Sequence, residues 1–453
     1  MRFVSPTSAP TGPLLLTGAT GFLGMELLAR YLERGERTVY ALVRADDDRE
    51  ARARLRAAAA RVVEQPERFE HRLLAVRGDV ALPGLGIPRS RRLALAESVT
   101  EIVHAAASVS FTLPLAEARE INVEGTRRLL ELAELCAAHG ELRRFSHVST
   151  AYVAGTATGV FDEDDHDVGQ SFRNSYERTK WEAERLVRSS AGHLPVQIFR
   201  PSIVVGEAAT GWTAAFNVIY GPLRAYAKGE AVPLVPGRGG APVDVVPVDY
   251  VADAIVALAS RPQGAGRTYS LAAGPRASTV EELIALSAEA FGRRRAVTVP
   301  PALYERTIHP VLVRRSRGGT RRWLQQAPVF FPYFALRVRH DTTRARAALA
   351  PDGIAPPPLR DYFGRLVDFA EASQWGRVTL SRADAAGRYG RGRRWRRRPH
   401  RSARRSWWRF AEIVGKMPTT CTSSPARTAP GSCASRPARR QARAAARSRP
   451  SAR

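Results

Sequence analysis

Leu14-Leu15-Leu16-Thr17-Gly18-Ala19-Thr20-Gly21-Phe22-Leu23-Gly24 is the stretch on which the fold turns. A short apolar run stops at glycines spaced GxxGxxG, and a helix-period pattern, Met25–Arg34, follows directly. An apolar run too short for a helix, ended by glycine and succeeded by a 3.6-residue period, reads as strand, turn and helix. Glycines there let the chain turn tightly, approach a pyrophosphate and pack the helix on the strand. The plainer alternative is an ordinary strand–helix turn. The context favours a dinucleotide cradle made by Gly18, Thr20, Gly21, Phe22, Leu23 and Gly24.

Working outward, the alternation continues. Val39–Val43, Leu73–Val76, Glu101–His104, Phe145–Ser149 and Gln197–Phe199 read as strands, and Ala116–His139 and Tyr176–Ser189 as helices between them. Strands alternating with helices predict an α/β fold with a doubly wound, Rossmann-like parallel sheet. The text turns rich in Gly, Ala and Pro around Pro262–Pro275, and a helix is expected to begin near Thr279. The expected organisation is a cofactor domain at 13–275, a smaller C-terminal substrate lobe at 276–376, and a disordered basic tail at 377–453.

Charge has to be read by location. The 453 residues carry a formal charge of +27, and 44% of them are apolar. From Ser381 to Arg453 there are 21 basic and 2 acidic residues, a net of +19, which leaves only +8 for the rest. Tryptophans among the arginines of Arg391–Phe410 would suit nucleic acid or an anionic membrane. Arg/Ala/Pro/Ser text is also what GC-rich coding sequence gives in a shifted frame, so genuine disorder and an artefact both stay open. Nucleic acid is not expected as a partner. Cys136, Cys421 and Cys433 form no paired framework and no metal-type spacing, which fits a reducing compartment and predicts no metal. No run of 18 apolar residues occurs, and Pro13–Leu16 is too short for a signal-peptide core. A soluble cytoplasmic protein without a transmembrane segment is expected.

The end of the second strand reports on the dinucleotide. An acid there would grip ribose hydroxyls, but the position reads Val43 followed by Arg44. A guanidinium meets a 2′-phosphate at two points, so NADPH is expected, with Arg54 as a second candidate contact. The alternative for both arginines is a solvated surface. Asp46, Asp47 and Asp48 weaken the positive field. Tyr176 and Lys180, at i and i+4, share a helix face. A free tyrosine titrates near pH 10, too high for a ready acid, and a neighbouring ammonium is expected to lower it. A hydroxyl from Ser149-Thr150 at the end of the fifth strand completes the set; the bland alternative is a surface tyrosine beside a solvated lysine.

These phrases carry a resemblance. The glycine turn, Gly78-Asp79, His104-Ala105-Ala106, Asn122-Val123-x-Gly125-Thr126, Ser149-Thr150, Tyr176-xxx-Lys180 and Arg200-Pro201 occur in order. Together they resemble the extended short-chain dehydrogenase/reductases over roughly residues 13–275. The resemblance implies Thr150, Tyr176 and Lys180 as the catalytic trio, with Thr150 rather than Ser149 in the equivalent position and Lys180 also reaching the nicotinamide ribose. It places Asp79 near the adenine and Ala105 and Ala106 along the cofactor cleft. Leu42-Val43-Arg44-Ala45, Ala106–Phe111, Ser149–Val153, Tyr176–Glu184 and Val246–Val251 look like the thioester-reductase and fatty acyl-CoA reductase branch. That implies NADPH-dependent reduction of an acyl thioester, on coenzyme A or an acyl-carrier protein, to aldehyde or alcohol. The alternatives are a nucleotide-sugar epimerase or dehydratase, which shares most of the skeleton, and a non-catalytic dinucleotide-binding protein. Phe330–Phe334 reads first as plain core and second as the lining of an acyl tunnel. Arg314, Arg315, Arg317, Arg321 and Arg322 are basic residues of the kind a nucleotide-sugar diphosphate needs, and are alternatively candidates to meet the phosphates of coenzyme A or a phosphopantetheine arm. Acyl chain length, carrier, the number of hydrides and the oligomeric state are not legible.

Overall fold

The computed structural model describes residues 12–216, 218–229 and 234–389. Its centre is a seven-stranded parallel sheet. The strands are β1 (Leu14–Thr17), β2 (Val39–Val43), β3 (Leu73–Arg77), β4 (Glu101–His104), β5 (Arg144–Val148), β6 (Val196–Pro201) and β7 (Thr268–Leu271), in spatial order β7-β6-β5-β4-β1-β2-β3. The order reverses between β1 and β4, the switch point where doubly wound sheets open a ligand crevice. Six of these strands match the sequence reading within a residue or two at each end. The seventh, Thr268–Leu271, had no apolar run to announce it.

Both faces of the sheet are covered, so the strands alternate between two cores rather than between core and water. Leu14 and Leu16 join Leu27, Leu28 and Leu32 of α1 (Phe22–Glu33) on one face. Leu15 joins Ile102, Phe145 and Leu129 on the other. Further helices used below are α2 (Asp48–Ala59), α3 (Gly125–His139), α4 (Ser175–Ser189) and α5 (Val248–Ala259).

The expected helix over 116–139 forms, with one widened turn inside it. A wide turn at Glu120–Glu124 precedes α3 and carries Asn122. From there Asn122 accepts from Ser108 N at 2.8 Å and donates to Thr179 Oγ1 at 2.9 Å, tying the loop after β4 to α4. Such insertions gather at functional positions.

The expected cut at 275/276 does not divide the packing. A third core holds Ile203, Val205, Tyr220, Leu223 and Val245 together with Leu283, Phe291, Tyr333, Phe363 and Leu366, so the lobe draws on chain from before β7 as well as after it. Conversely Ala345 and Leu349 return to the first sheet core. The tail also begins later than composition suggested. A helix forms at Arg382–Tyr389, Ala385 and Leu380 join the first core, and Arg382 reaches Glu207 at 2.6 Å. A local apolar count misses this, because the partners of these residues lie far away in the chain. The remainder of the expected tail, including Arg391–Phe410, Cys421 and Cys433, lies outside the described residues. No helix among the described residues is long and apolar enough to cross a membrane.

Candidate active site

The glycine turn behaves as its spacing requires. Gly18 sits at φ +75°, and a Cβ there would lie 2.7 Å from Ala106 N and 2.8 Å from the Ala105 carbonyl carbon. A Cβ on Gly24 would collide with the main chain of Gly18, so α1 can pack on the turn only without one. Gly21 N donates to Gly18 O at 2.8 Å, and Gly21, extended, begins α1 with no side-chain cap. The amides of the first turn are left for another acceptor, which is how a helix N-terminus receives a phosphate. Thr20 and Gly21 are exposed and Phe22 and Leu23 half-buried, so the turn faces the crevice.

Arg44 leaves the end of β2 exposed. Arg54, also exposed, lies 3.7 Å from Glu50 on its own helix. The acids between them have structural duties: Asp47 caps α2 by accepting from Glu50 N at 2.7 Å, and Asp48 pairs with Arg91 at 3.3 Å. Asp79 spends one oxygen on Ala81 N at 2.9 Å. Ala105 and Ala106 follow β4 against Gly18, and Ala106 N donates to Thr17 Oγ1 at 3.2 Å.

Thr150, Tyr176 and Lys180 converge beside this crevice. Asn174 caps α4 by accepting from Glu177 N at 3.0 Å, which fixes the first turn where Tyr176 sits. Thr150 Oγ1 hydrogen-bonds the Tyr176 hydroxyl and accepts from Tyr152 N at 3.2 Å. Ser149 turns away and donates to Glu184 at 2.6 Å. Lys180 is buried, donates to Val148 O at 2.7 Å and meets His147 Nε2 at 3.5 Å. Burial pushes its ammonium down to about 8, with Glu184 opposing.

The phenol of Tyr176 is raised, not lowered: burial is the largest cause, the Thr150 hydrogen bond opposes it, and Glu177 adds to it. Lys180 directs its amine at the carbonyl of β5, so desolvation prevails. At neutral pH Tyr176 is a protonated donor.

Sequence reading missed the supports. Glu184 is fully buried among Arg200 at 2.7 Å, Arg188 at 2.9 Å and Ser149, and these hold its carboxyl down to about 2 against the burial that would raise it. Tyr333, from the aromatic cluster, donates to Glu177 at 2.6 Å. His147 offered no signal beyond a polar residue in a buried strand. A row of rings leads away from the trio: Tyr176 lies 5.7 Å from Phe111, and Phe111 lies 6.3 Å from Phe330 and 5.3 Å from Tyr333. Phe330, Phe331 and Phe334 then line an apolar cavity of about 110 Å³ with Ile219, Leu223 and Tyr304. The cluster is thus part core and part cavity wall. Of the basic residues, Arg314 and Arg321 border a separate open cleft with His309.

A doubly wound parallel sheet with this glycine turn at its switch point, and a Thr/Tyr/Lys set beside it, defines an NAD(P)-binding domain of the extended short-chain dehydrogenase/reductase type. Residues 16–255 match the NAD-binding family described as male sterility protein, and the chain belongs to that family. It is 33% identical over 287 residues to the carboxylic acid reductase of Mycobacterium marinum, covering 56% of this chain and 24% of that one. It is 32% identical over 284 residues to fatty acyl-CoA reductase wat of Drosophila melanogaster, covering 54% of this chain and 53% of that one. The chain thus spans from about a quarter to about half the length of these two curated relatives, and a smaller share of others. Among solved structures, the terminal R domain from the myxalamid PKS-NRPS biosynthetic pathway superposes with a TM-score of 0.70 at 27% identity, covering 82% of this chain and 94% of that one.

Proposed function

We propose that the chain reduces an acyl thioester, carried on coenzyme A or a carrier protein, to an aldehyde or alcohol with NADPH. The observation that carries this reading is the aromatic row from Tyr176 through Phe111 to Phe330 and the apolar cavity behind it. A hexose needs convergent polar groups, whereas this cavity suits a hydrocarbon chain. The names of the relatives, a carboxylic acid reductase, a fatty acyl-CoA reductase and the R domain of a biosynthetic pathway, support the same chemistry.

The residues present fit a dinucleotide: the uncapped start of α1 and the bare glycines would take the pyrophosphate, and Arg44, with Arg54 as a second candidate contact, would take the 2′-phosphate. When bound, the cofactor supplies a hydride to the carbonyl carbon. Tyr176, protonated, donates to the carbonyl oxygen as negative charge develops there. Thr150 orients the phenol, and the Lys180 ammonium adds positive charge close by. Collapse of the tetrahedral carbon breaks the C–S bond and releases the thiol.

NADPH oxidation measured against acyl-CoAs of increasing length, free aldehydes and nucleotide sugars tests the proposal. Efficiency is expected to climb about fourfold per methylene until the cavity fills, from about 0.8 kcal/mol each. Tyr176→Phe should lose 10²- to 10⁴-fold in turnover, on the order expected for a lost proton donor, while still binding cofactor. Flat activity across chain lengths, or turnover of nucleotide sugars alone, would overturn it.

A further inference from the structure

We infer that His147 is a positioning residue for Lys180: its Nε2 accepts from the ammonium and, with the Val148 carbonyl, fixes the amine beneath the active site. The inference rests on reading Lys180 as the partner of Tyr176.

Two histidines lie side by side on β4 and β5, His104 and His147, with ring centroids 5.3 Å apart and both side chains buried. They are used differently. His104 is satisfied at both nitrogens, by Thr17 Oγ1 at 2.8 Å and Thr126 Oγ1 at 3.1 Å. Thr126 gives its own proton to Asn122 O at 2.7 Å, so it accepts from His104 Nε2, and His104 Nδ1 accepts from Thr17. That is a closed structural network.

His147 has one contact of this kind, Nε2 to Lys180 Nζ at 3.5 Å, while its Nδ1 is buried without a hydrogen-bond partner. An ammonium only donates, so Nε2 presents its lone pair and the ring proton sits on the unpartnered Nδ1. Leaving that N–H dry is costly, and a histidine kept only for packing would gain by replacement with an apolar residue. The return is a second acceptor for Lys180. With two of its three protons held by Val148 O and His147, the amine keeps one for the site above.

The charged and titratable groups around Lys180 are few. Tyr176 and Glu184 lie a turn to either side on α4, His104 stands behind His147 on β4, and Arg200 of β6 neutralises Glu184. Both histidines are held neutral, chiefly by burial and then by Lys180 itself. Beside the main-chain carbonyl of Val148 at 2.7 Å, His147 is therefore the uncharged side chain that can stabilise its protonated form.

The test is the pH dependence of kcat/KM for an acyl-CoA in wild type, His147→Leu and His147→Gln. Leucine fills the space without an acceptor, whereas the glutamine Oε1 reaches the former place of Nε2. The alkaline limb of His147→Leu is expected about one pH unit lower, with roughly tenfold less activity on the limb, and His147→Gln should restore it. A purely packing role predicts the reverse, with leucine tolerated and glutamine harmful, and that result would overturn the inference, as would one limb shared by all three. Should the variants fold poorly, ¹⁵N spectra of the wild-type histidine rings decide. A bare Nε2 at His147 supports the proposal, and a protonated Nε2 overturns it. Wild-type turnover in Lys180→Met would instead refute the role of Lys180 itself, which the ring spectrum does not depend on.

Discussion

Tyr333 gives its hydroxyl proton to Glu177 at 2.6 Å, and Glu177 follows Tyr176 on α4. The aromatic segment beside the cavity is thereby bonded to the helix that carries Tyr176, the proposed proton donor. Glu177 is fully buried and also takes Arg173 N at 2.9 Å, so its carboxylate fastens the loop before the helix as well. Tyr333→Phe keeps the ring stacked on Phe111 and removes the hydroxyl, which donates to Glu177 and accepts from Asn174 Nδ2 at 2.7 Å. It is expected to cost about 1.5–3 kcal/mol, the range for a hydrogen bond to a charged group. Turnover should fall with cofactor affinity unchanged. Denaturant unfolding reads the first effect; a variant as stable as wild type would show that the carboxylate finds another donor.

On the proposed reading, Arg44 sets the cofactor preference. It is exposed at the end of β2, where the sequence has no acid for a ribose hydroxyl. Losing a charge-assisted contact to a 2′-phosphate costs about 1.5–3 kcal/mol, roughly a 10- to 150-fold weakening. Arg44→Ala should weaken NADPH by that factor and leave NADH nearly unchanged. Titration of both dinucleotides into both proteins checks it, and equal wild-type affinities would contradict the assignment.

Two buried groups give pH signatures in separate windows, one alkaline and one acid. Lys180, pushed down to about 8 from 10.5, is charged below that pH, so activity that needs the ammonium falls as pH rises through 8. Between 8 and 10.5 the unfolded chain holds a proton that the folded one has released, so burial of Lys180 penalises the fold fully below 8 and less as pH rises through that window. Glu184, held down to about 2 from 4.5, stabilises the fold above 4.5 and loses that contribution as pH falls towards 2. Glu184→Gln should flatten the acid side of a stability–pH curve, and an unchanged slope between pH 5 and pH 2 would contradict the buried pairing.

What was legible in the sequence follows from where the physics is local. Leu14–Leu16 announces a strand because a parallel sheet covered on both faces needs unbroken apolar runs. The glycine turn announces itself because two of its positions tolerate no Cβ. Thr268–Leu271 stayed silent because its polar members are satisfied from elsewhere: Thr268 by Arg188 at 3.0 Å, and Ser270 N by Glu163 at 2.8 Å. Tyr176, Lys180 and Thr150 were visible as residue types. The direction of the Tyr176 shift was not, since it depends on burial and on where Lys180 points. His147 acquires its meaning only from a lysine on another element.

Residues 377–389, assigned by composition to the basic tail, belong to the fold. Leu380 O accepts from Trp212 Nε1 at 3.0 Å, and Trp212, fully buried, lies 6.1 Å from Phe22 of the glycine turn. Arg382 sits 2.6 Å from Glu207 and 3.7 Å from Glu26, two buried carboxylates at the mouth of α1. Burial raises the Glu26 carboxyl, and Arg30 and then Arg382 oppose it. A chain ending at Gly376 leaves these acids short of a cation and uncovers the Trp212 indole. A chain ending at Tyr389 keeps both contacts. The shorter chain should be less stable than the longer by roughly 3–5 kcal/mol, the cost of breaking a buried pair. It should also bind dinucleotide more weakly, because Phe22 rests against Trp212. Arg382→Met in the full chain separates the ion pair from the covering of the indole: it should reproduce most of the stability loss and little of the binding loss. Paired thermal melts and cofactor titrations provide the comparison, and equal melting temperatures for the two truncated chains would show that 377–389 contributes nothing to the fold.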